Sequence, residues 1–135
     1  MATQQRPTVE DVMAVAEFRA ALRQFLRRSE RVARQSGLTP QRHLLLMMIK
    51  GAPGASEQST VTELSERLQL AQSTVTELVR RAEEAGLVER EQSQQDARVA
   101  HLRLSPEGER RLMLSFTALA DEREQLRDAF AHLQA

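Results

Sequence analysis

Apolar positions along this chain follow a helical period in some stretches and a strand period in others. From Val9 to Gln35, residues Val12, Val15, Ala16, Leu22, Phe25, Leu26 and Val32 form a broad apolar face at helical spacing, which predicts one long amphipathic helix. Arg27, Arg28, Arg31 and Arg34 crowd its last turns, where cations face the negative end of the helix dipole. A second helix opens at Thr39-Pro40, with Thr39 as cap and Pro40 at the first helical position. Leu44, Leu45, Leu46, Met47, Met48 and Ile49 make it apolar almost all round, as suits a core helix. The Gly/Pro/Ser segment 51–59 reads as a surface loop, with Val61 as a short strand capping a later hairpin. Residues Thr62 to Leu68 then predict a short helix with Thr62 as cap and Leu64 and Leu68 one turn apart. After a tight polar turn, Gln72 to Ala82 places Val75, Leu78, Val79 and Ala82 on one buried stripe and Gln72, Ser73, Thr76, Glu77 and Arg80 outward. Gly86 ends that helix, since glycine tolerates the left-handed conformation of a C-cap.

The period then changes. Leu87 to Glu91 and Val99 to Leu104 read as strands around a solvated tip, Gln92 to Arg98. Ser105-Pro106 starts another helix, and Leu112, Phe116, Leu119, Leu126, Phe130 and Leu133 extend the helical spacing towards the end of the chain. Short helix, turn, second helix and hairpin, in that order, predict a winged helix-turn-helix. The expected fold is mainly α with a small hairpin (α+β), as a single domain over 1–135. In it a reader region, 39–108, is flanked by long terminal helices at 9–35 and 110–135. Those two helices carry more apolar face than one small domain can bury, which marks them as dimerisation helices.

A second helix that exposes hydroxyls and amides in place of the usual Glu/Lys mixture can approach phosphates and base edges closely. Gln72, Ser73, Thr74, Thr76, Glu77 and Arg80 are therefore candidate contacts to duplex DNA, against the plainer reading of helix-start and surface residues. Arg98 at the hairpin tip is a candidate probe of a narrow, electronegative minor groove, against a solvated loop charge. Asp96 either holds its guanidinium or is a plain turn residue. Of Arg80 and Arg81, one is expected to meet phosphate while the other, nearer the buried side, pairs with a carboxylate of the fold. His43 reads as a helix-surface or interface histidine, not a metal ligand.

The string Leu-Val-x-x-x-x-x-x-Gly-Leu-Val-x-Arg from Leu78 to Arg90, followed by Asp96-x-Arg98 and Leu104-Ser105-x-x-Gly108, resembles the MarR family of bacterial transcriptional regulators. Leu38-Thr39-Pro40 upstream fits the same pattern. The resemblance implies an obligate homodimer on a pseudo-palindromic site, repressing more often than activating, with terminal helices packed against their counterparts. It also implies a small aromatic or phenolic acid as effector, bound where the dimerisation helices meet the reader. Phe18, Leu22, His43 and Met47 are the candidate wall residues and Arg19 or Arg23 the carboxylate partners, with core and interface packing as the alternative for each.

Charge complicates the picture. Nineteen basic and nineteen acidic residues give zero formal net charge, whereas duplex readers commonly carry a basic excess. Residues 1–50 hold nine basic against four acidic side chains, and the rest of the chain is correspondingly acidic. This imbalance keeps open a second reading: a winged-helix interaction or dimerisation module without DNA binding. The absence of cysteine excludes disulfides and thiolate-held metals, and with them redox sensing through a reactive thiolate. No glycine-rich phosphate loop, Gly-x-Ser-x-Gly or paired-His metal spacing is present, so neither an enzyme nor a cofactor is expected. Four phenylalanines without Tyr or Trp argue against a base-stacking single-strand binder. Without a long apolar run or a signal-like start, the expected location is the cytoplasm, with no membrane contact.

Overall fold

The computed structural model describes residues 5–134. Residues 1–4 and 135, which the single-domain and last-helix readings include, lie outside it. Helix α1 spans Val9–Gln35 and opens with a reciprocal capping box between Thr8 and Asp11. Helix α2, Pro40–Lys50, starts as expected, with Thr39 Oγ1 accepting the Arg42 amide at 3.1 Å. A single 3₁₀ turn, Pro53–Ala55, interrupts the following loop. Helices α3 (Val61–Leu68) and α4 (Gln72–Glu84) come next, then strands β1 (Val88–Gln92) and β2 (Ala100–Leu104). The chain closes with α5 (Pro106–Ala118) and α6 (Ala120–Gln134).

Three expectations change. The α3 cap is Thr60, not Thr62: its hydroxyl accepts the Glu63 amide, the Glu63 carboxylate accepts the Thr60 amide, and Thr62 lies inside the helix. Val61 is therefore the first helical residue, not a strand. The strand contact beside the hairpin belongs to Ser59, which exchanges both backbone hydrogen bonds with Leu102. The C-terminal run is two helices, broken at a buried Leu119. Neither glycine nor proline marks the break; the Arg123 guanidinium folds back onto the Phe116 carbonyl and lies 3.7 Å from the centre of its ring.

The core gathers Leu45, Leu46 and Ile49 of α2, Leu64 of α3 and Val75, Val79 and Ala82 of α4 with Leu87, Leu102 and Leu112. All but Leu112 are fully buried. The two strands pair antiparallel from Val88↔Leu104 to Gln92↔Ala100. The hairpin base is clamped to α5: Ser105 Oγ accepts the Gly108 amide at 3.0 Å and donates to the Gly86 carbonyl at 2.6 Å, while the Ser105 amide donates to Leu87 at 2.9 Å.

Helix α6 packs back on α1 of its own chain, through a tilted Phe18–Phe130 contact with centroids 6.0 Å apart and an Arg28–Glu122 pair at 3.3 Å. Large apolar side chains remain uncovered on the first turns of α1 (Val9, Val12, Met13, Val15) and on α5 (Met113, Leu114).

Candidate nucleic-acid interface

The turn between α3 and α4 is held by its own side chains. Gln69 takes a left-handed conformation (φ 55°, ψ 45°), its amide nitrogen donates to the Glu66 carbonyl at 2.6 Å, and Ser65 Oγ donates to the Leu70 carbonyl at 2.6 Å. Helix α4 then follows its N-cap residue Ala71, whose side chain offers no cap. Its first-turn amides thus lack a side-chain acceptor at the positive end of the helix dipole.

With Val75, Leu78, Val79 and Ala82 fixed in the core, the 3.6-residue period turns Gln72, Ser73, Thr74, Thr76 and Arg80 to solvent and leaves Glu77 half-buried. Gln72 also reaches Thr62 Oγ1 at 3.3 Å, tying the starts of α3 and α4 together. The expected division between Arg80 and Arg81 does not occur. Both are exposed and both pair with Glu77, because residues three and four apart share one helix face. Arg80 Nη2 and Nε meet Glu77 at 2.5 and 2.9 Å, Arg81 Nε meets it at 3.1 Å, and Arg80 Nη1 also donates to Glu84. Hydrogen bonds from Arg80 first, and then from Arg81, pull the Glu77 carboxyl down to a pKa of about 2. Glu83 meets Arg90 of β1 at 2.8 Å, bracing the wing against α4.

The wing tip is a compact turn. Ser93 and Val99 close it through a 2.9 Å backbone bond, and Ser93 Oγ accepts the Gln95 and Asp96 amides. Asp96 Oδ1 accepts both the Arg98 amide at 3.0 Å and Arg98 Nε at 3.3 Å. The Arg98 side chain is 92% exposed, with its terminal nitrogens free of an ion pair.

The residues expected at an effector site are dispersed. His43 is buried, not at the surface: the helical period points it between α1 and α5, where Nε2 meets Ser115 Oγ at 2.9 Å. Burial lowers its pKa. His43 and Met47 line a cavity of about 310 Å³ between α1 and α2, with Phe25, Leu26 and Leu44. Phe18 is drawn away by its contact with Phe130, Leu22 and Arg19 line neither this cavity nor its neighbour, and Arg23 edges a shallow depression that shares Leu26 and Glu30 with it. Among the described residues no three His, Cys, Asp or Glu side chains gather as a metal site, and no helix is long and apolar enough to cross a membrane.

Sequence reasoning missed the Thr60–Glu63 capping box, although Thr-x-x-Glu is its local signature. It also missed Glu84, Ser115 and Phe25; the latter two take their roles from distant elements and carry no local signal.

Residues 36–99, from the start of the reader to the wing, match the MarR family model. A curated Bacillus subtilis (strain 168) protein, named as the uncharacterized HTH-type transcriptional regulator YsmB, is 41% identical over 71 residues, 53% of this chain and 47% of that one. The match thus spans about half the length of that relative. Among solved structures, Streptococcus pneumoniae FabT in complex with DNA is 27% identical, covering 67% of this chain and 61% of that chain at a TM-score of 0.60. A mutant MarR from E. coli complexed with operator DNA covers 86% of this chain and 84% of that chain, with TM-score 0.69 and 20% identity, a likeness of fold.

Proposed function

We propose that this chain is a MarR-family winged-helix protein and a sequence-specific double-stranded DNA-binding transcriptional regulator. The observation that carries the proposal is the pairing of an uncapped α4, short polar side chains on its outer face, with a wing whose tip holds out a nearly bare arginine. In this reading α4 enters the major groove, its first-turn amides take a phosphate, and Gln72, Ser73, Thr74, Thr76, Glu77 and Arg80 meet base edges or backbone. Arg98 enters the minor groove, and Asp96 fixes its approach by holding Nε and leaving the outer nitrogens to the DNA. Streptococcus pneumoniae FabT, solved in complex with DNA, supports the DNA-binding reading.

One reader contacts one half-site, so binding requires a homodimer on a pseudo-palindrome, with recognition helices about 34 Å apart. Terminal helices 9–35 and 110–135 supply the interface. Since α6 already covers part of α1 in its own chain, the uncovered Val9, Val12, Met13 and Val15 on α1 and Met113 and Leu114 on α5 are its apolar contacts. The protein acts in the cytoplasm as a repressor, released by a small aromatic acid in the α1–α2 cavity, where His43 and Met47 form part of the wall.

The test is a gel-shift titration against the DNA upstream of the chain's own gene at two salt concentrations. A saturable, salt-weakened shift is expected, and light scattering at micromolar concentration should report the dimer. No shift at either salt favours an interaction module instead, a reading kept in view by the acidic residues Glu77, Glu83 and Glu84 on α4.

A further inference from the structure

Every charged side chain on α4 is already engaged: Glu77, Arg80, Arg81, Glu83 and Glu84 each take part in an ion pair. Glu77 is the hub of this network. It fills the Nε–Nη2 side of the Arg80 guanidinium and also holds Arg81, while Glu84 takes Nη1 of Arg80. Glu77 lies on the same helix face as Ser73 and Arg80, at spacings of four and three. Whatever Arg80 approaches, an ionised carboxylate approaches with it.

That coupling has a chemical consequence in the groove. A carboxylate only accepts hydrogen bonds, and DNA phosphates only accept them, so a phosphate that draws Arg80 is repelled by Glu77. Of the major-groove base edges, adenine offers a donor beside an acceptor, and guanine and thymine offer acceptors; cytosine alone presents its N4 amino donor without a neighbouring acceptor. A C·G pair satisfies both side chains at once, with cytosine N4 donating to Glu77 and guanine O6 and N7 accepting from the released Arg80. We infer that Glu77 is a specificity-determining residue, which withholds Arg80 and Arg81 from DNA backbone in general and releases them where a cytosine amino group replaces them as its donor. The low pKa of its carboxyl, about 2, keeps it ionised throughout the working pH range.

This inference rests on the DNA-binding reading above, and its test separates the two. Wild type, Glu77→Gln and Glu84→Gln full-length proteins are titrated by fluorescence anisotropy against the duplex selected by wild type from a random pool, its single-pair variants, and a random-sequence duplex of equal length, at several salt concentrations. Glu77→Gln should bind random duplex roughly 3- to 10-fold more tightly, with a log–log salt slope steeper by about one, as for one freed cation. Discrimination at one C·G pair should fall about tenfold, within the usual range for one mismatched pair. Glu84→Gln, which loosens Arg80 without touching Glu77, should keep the C·G preference. If Glu77→Gln leaves random binding and C·G preference as in wild type, or weakens all duplexes alike, the inference is overturned while the DNA-binding reading stands. If wild type binds no duplex at any salt, both are overturned.

Discussion

Alanine at Gly108 should reverse the usual sign of a helix substitution. Replacing glycine by alanine inside a helix ordinarily stabilises it by about 1 kcal/mol, through backbone entropy. At Gly108, the third residue of α5, a Cβ would lie 2.1 Å from the Leu87 carbonyl oxygen and 3.0 Å from its carbon. Both are backbone atoms of a fully buried residue, so no side chain can swing aside. Relief requires α5 and the wing base to part by roughly 1 Å, and the Ser105–Leu87 and Gly108–Ser105 hydrogen bonds are the ones stretched. Overpacking at about 1–3 kcal/mol, with two weakened hydrogen bonds at about 1 kcal/mol each, less the gain of about 1 kcal/mol in backbone entropy, gives a net loss of about 2–4 kcal/mol. For a chain of 135 residues the unfolding entropy is about 0.28 kcal/mol/K, so the Tm should drop by roughly 7–14 °C. Circular dichroism melts at one fixed protein concentration read this directly, because association would make the midpoint concentration-dependent. Gly54→Ala is the reference: φ is +74° but nothing lies within 4 Å, so only local strain of about 1–2 kcal/mol applies. If Gly108→Ala melts no lower than Gly54→Ala, the close approach of α5 to Leu87 is wrong.

Four other outcomes are expected. Thr60→Ala removes the α3 capping box and should cost about 1 kcal/mol in a urea melt, whereas Thr62→Ala should cost much less; equal losses would contradict the cap assignment. Because burial lowers the His43 pKa, the unfolded chain takes up a proton near pH 6.5 that the folded one refuses; stability is therefore complete above that pH and declines below it. Urea melts at about pH 7.5 and 5.5 should show a smaller decline for His43→Gln than for wild type. Arg98→Ala should weaken operator binding about tenfold, and an unchanged gel shift would exclude the wing contact. Ending the chain after Ser115 removes the helix that covers Phe18 and should leave a protein that aggregates in light scattering and no longer shifts DNA.

The parts of this fold that were legible in the sequence are those written locally. Helix α1 carries its apolar period from Val9 to Gln35, Thr39-Pro40 and Ser105-Pro106 announce their helices through cap chemistry, and Gly86 closes α4 at φ +76°. The leucine spacing points to Thr62 as the α3 cap, whereas the reciprocal Thr-x-x-Glu signal that marks the true cap lies two residues earlier at Thr60. The break at Leu119 is invisible to periodicity because Leu112, Phe116 and Leu119 keep their spacing up to it, and the arginine that folds back comes from the next helix. The polar face of α4 follows from its buried stripe. The division of labour between Arg80 and Arg81 does not, since it depends on which rotamers bring two guanidiniums to one carboxylate. His43 was misplaced for a similar reason: its partner lies 72 residues away, and no window of sequence contains both.

That distant partnership also limits how the molecule can bend. The His43–Ser115 bond sits in the seam between α2 and α5, so sliding one helix along the other would leave the imidazole in a dry interior without its partner, while Ser115 keeps only its bond to the Leu112 carbonyl. The reader therefore carries α5 with it as one stiff block, clamped further at the wing base by Ser105. Compliance lies at the edges of that block. One edge is the short link from α1 to α2, where Gly37 adopts φ +75° and is tethered by Arg111 at 3.1 Å; the other is the interruption at Leu119. In the proposed dimer, a force that spreads two such blocks apart would be absorbed at these two joints, and the spacing between recognition helices would be set by their angles and not by any deformation within the reader.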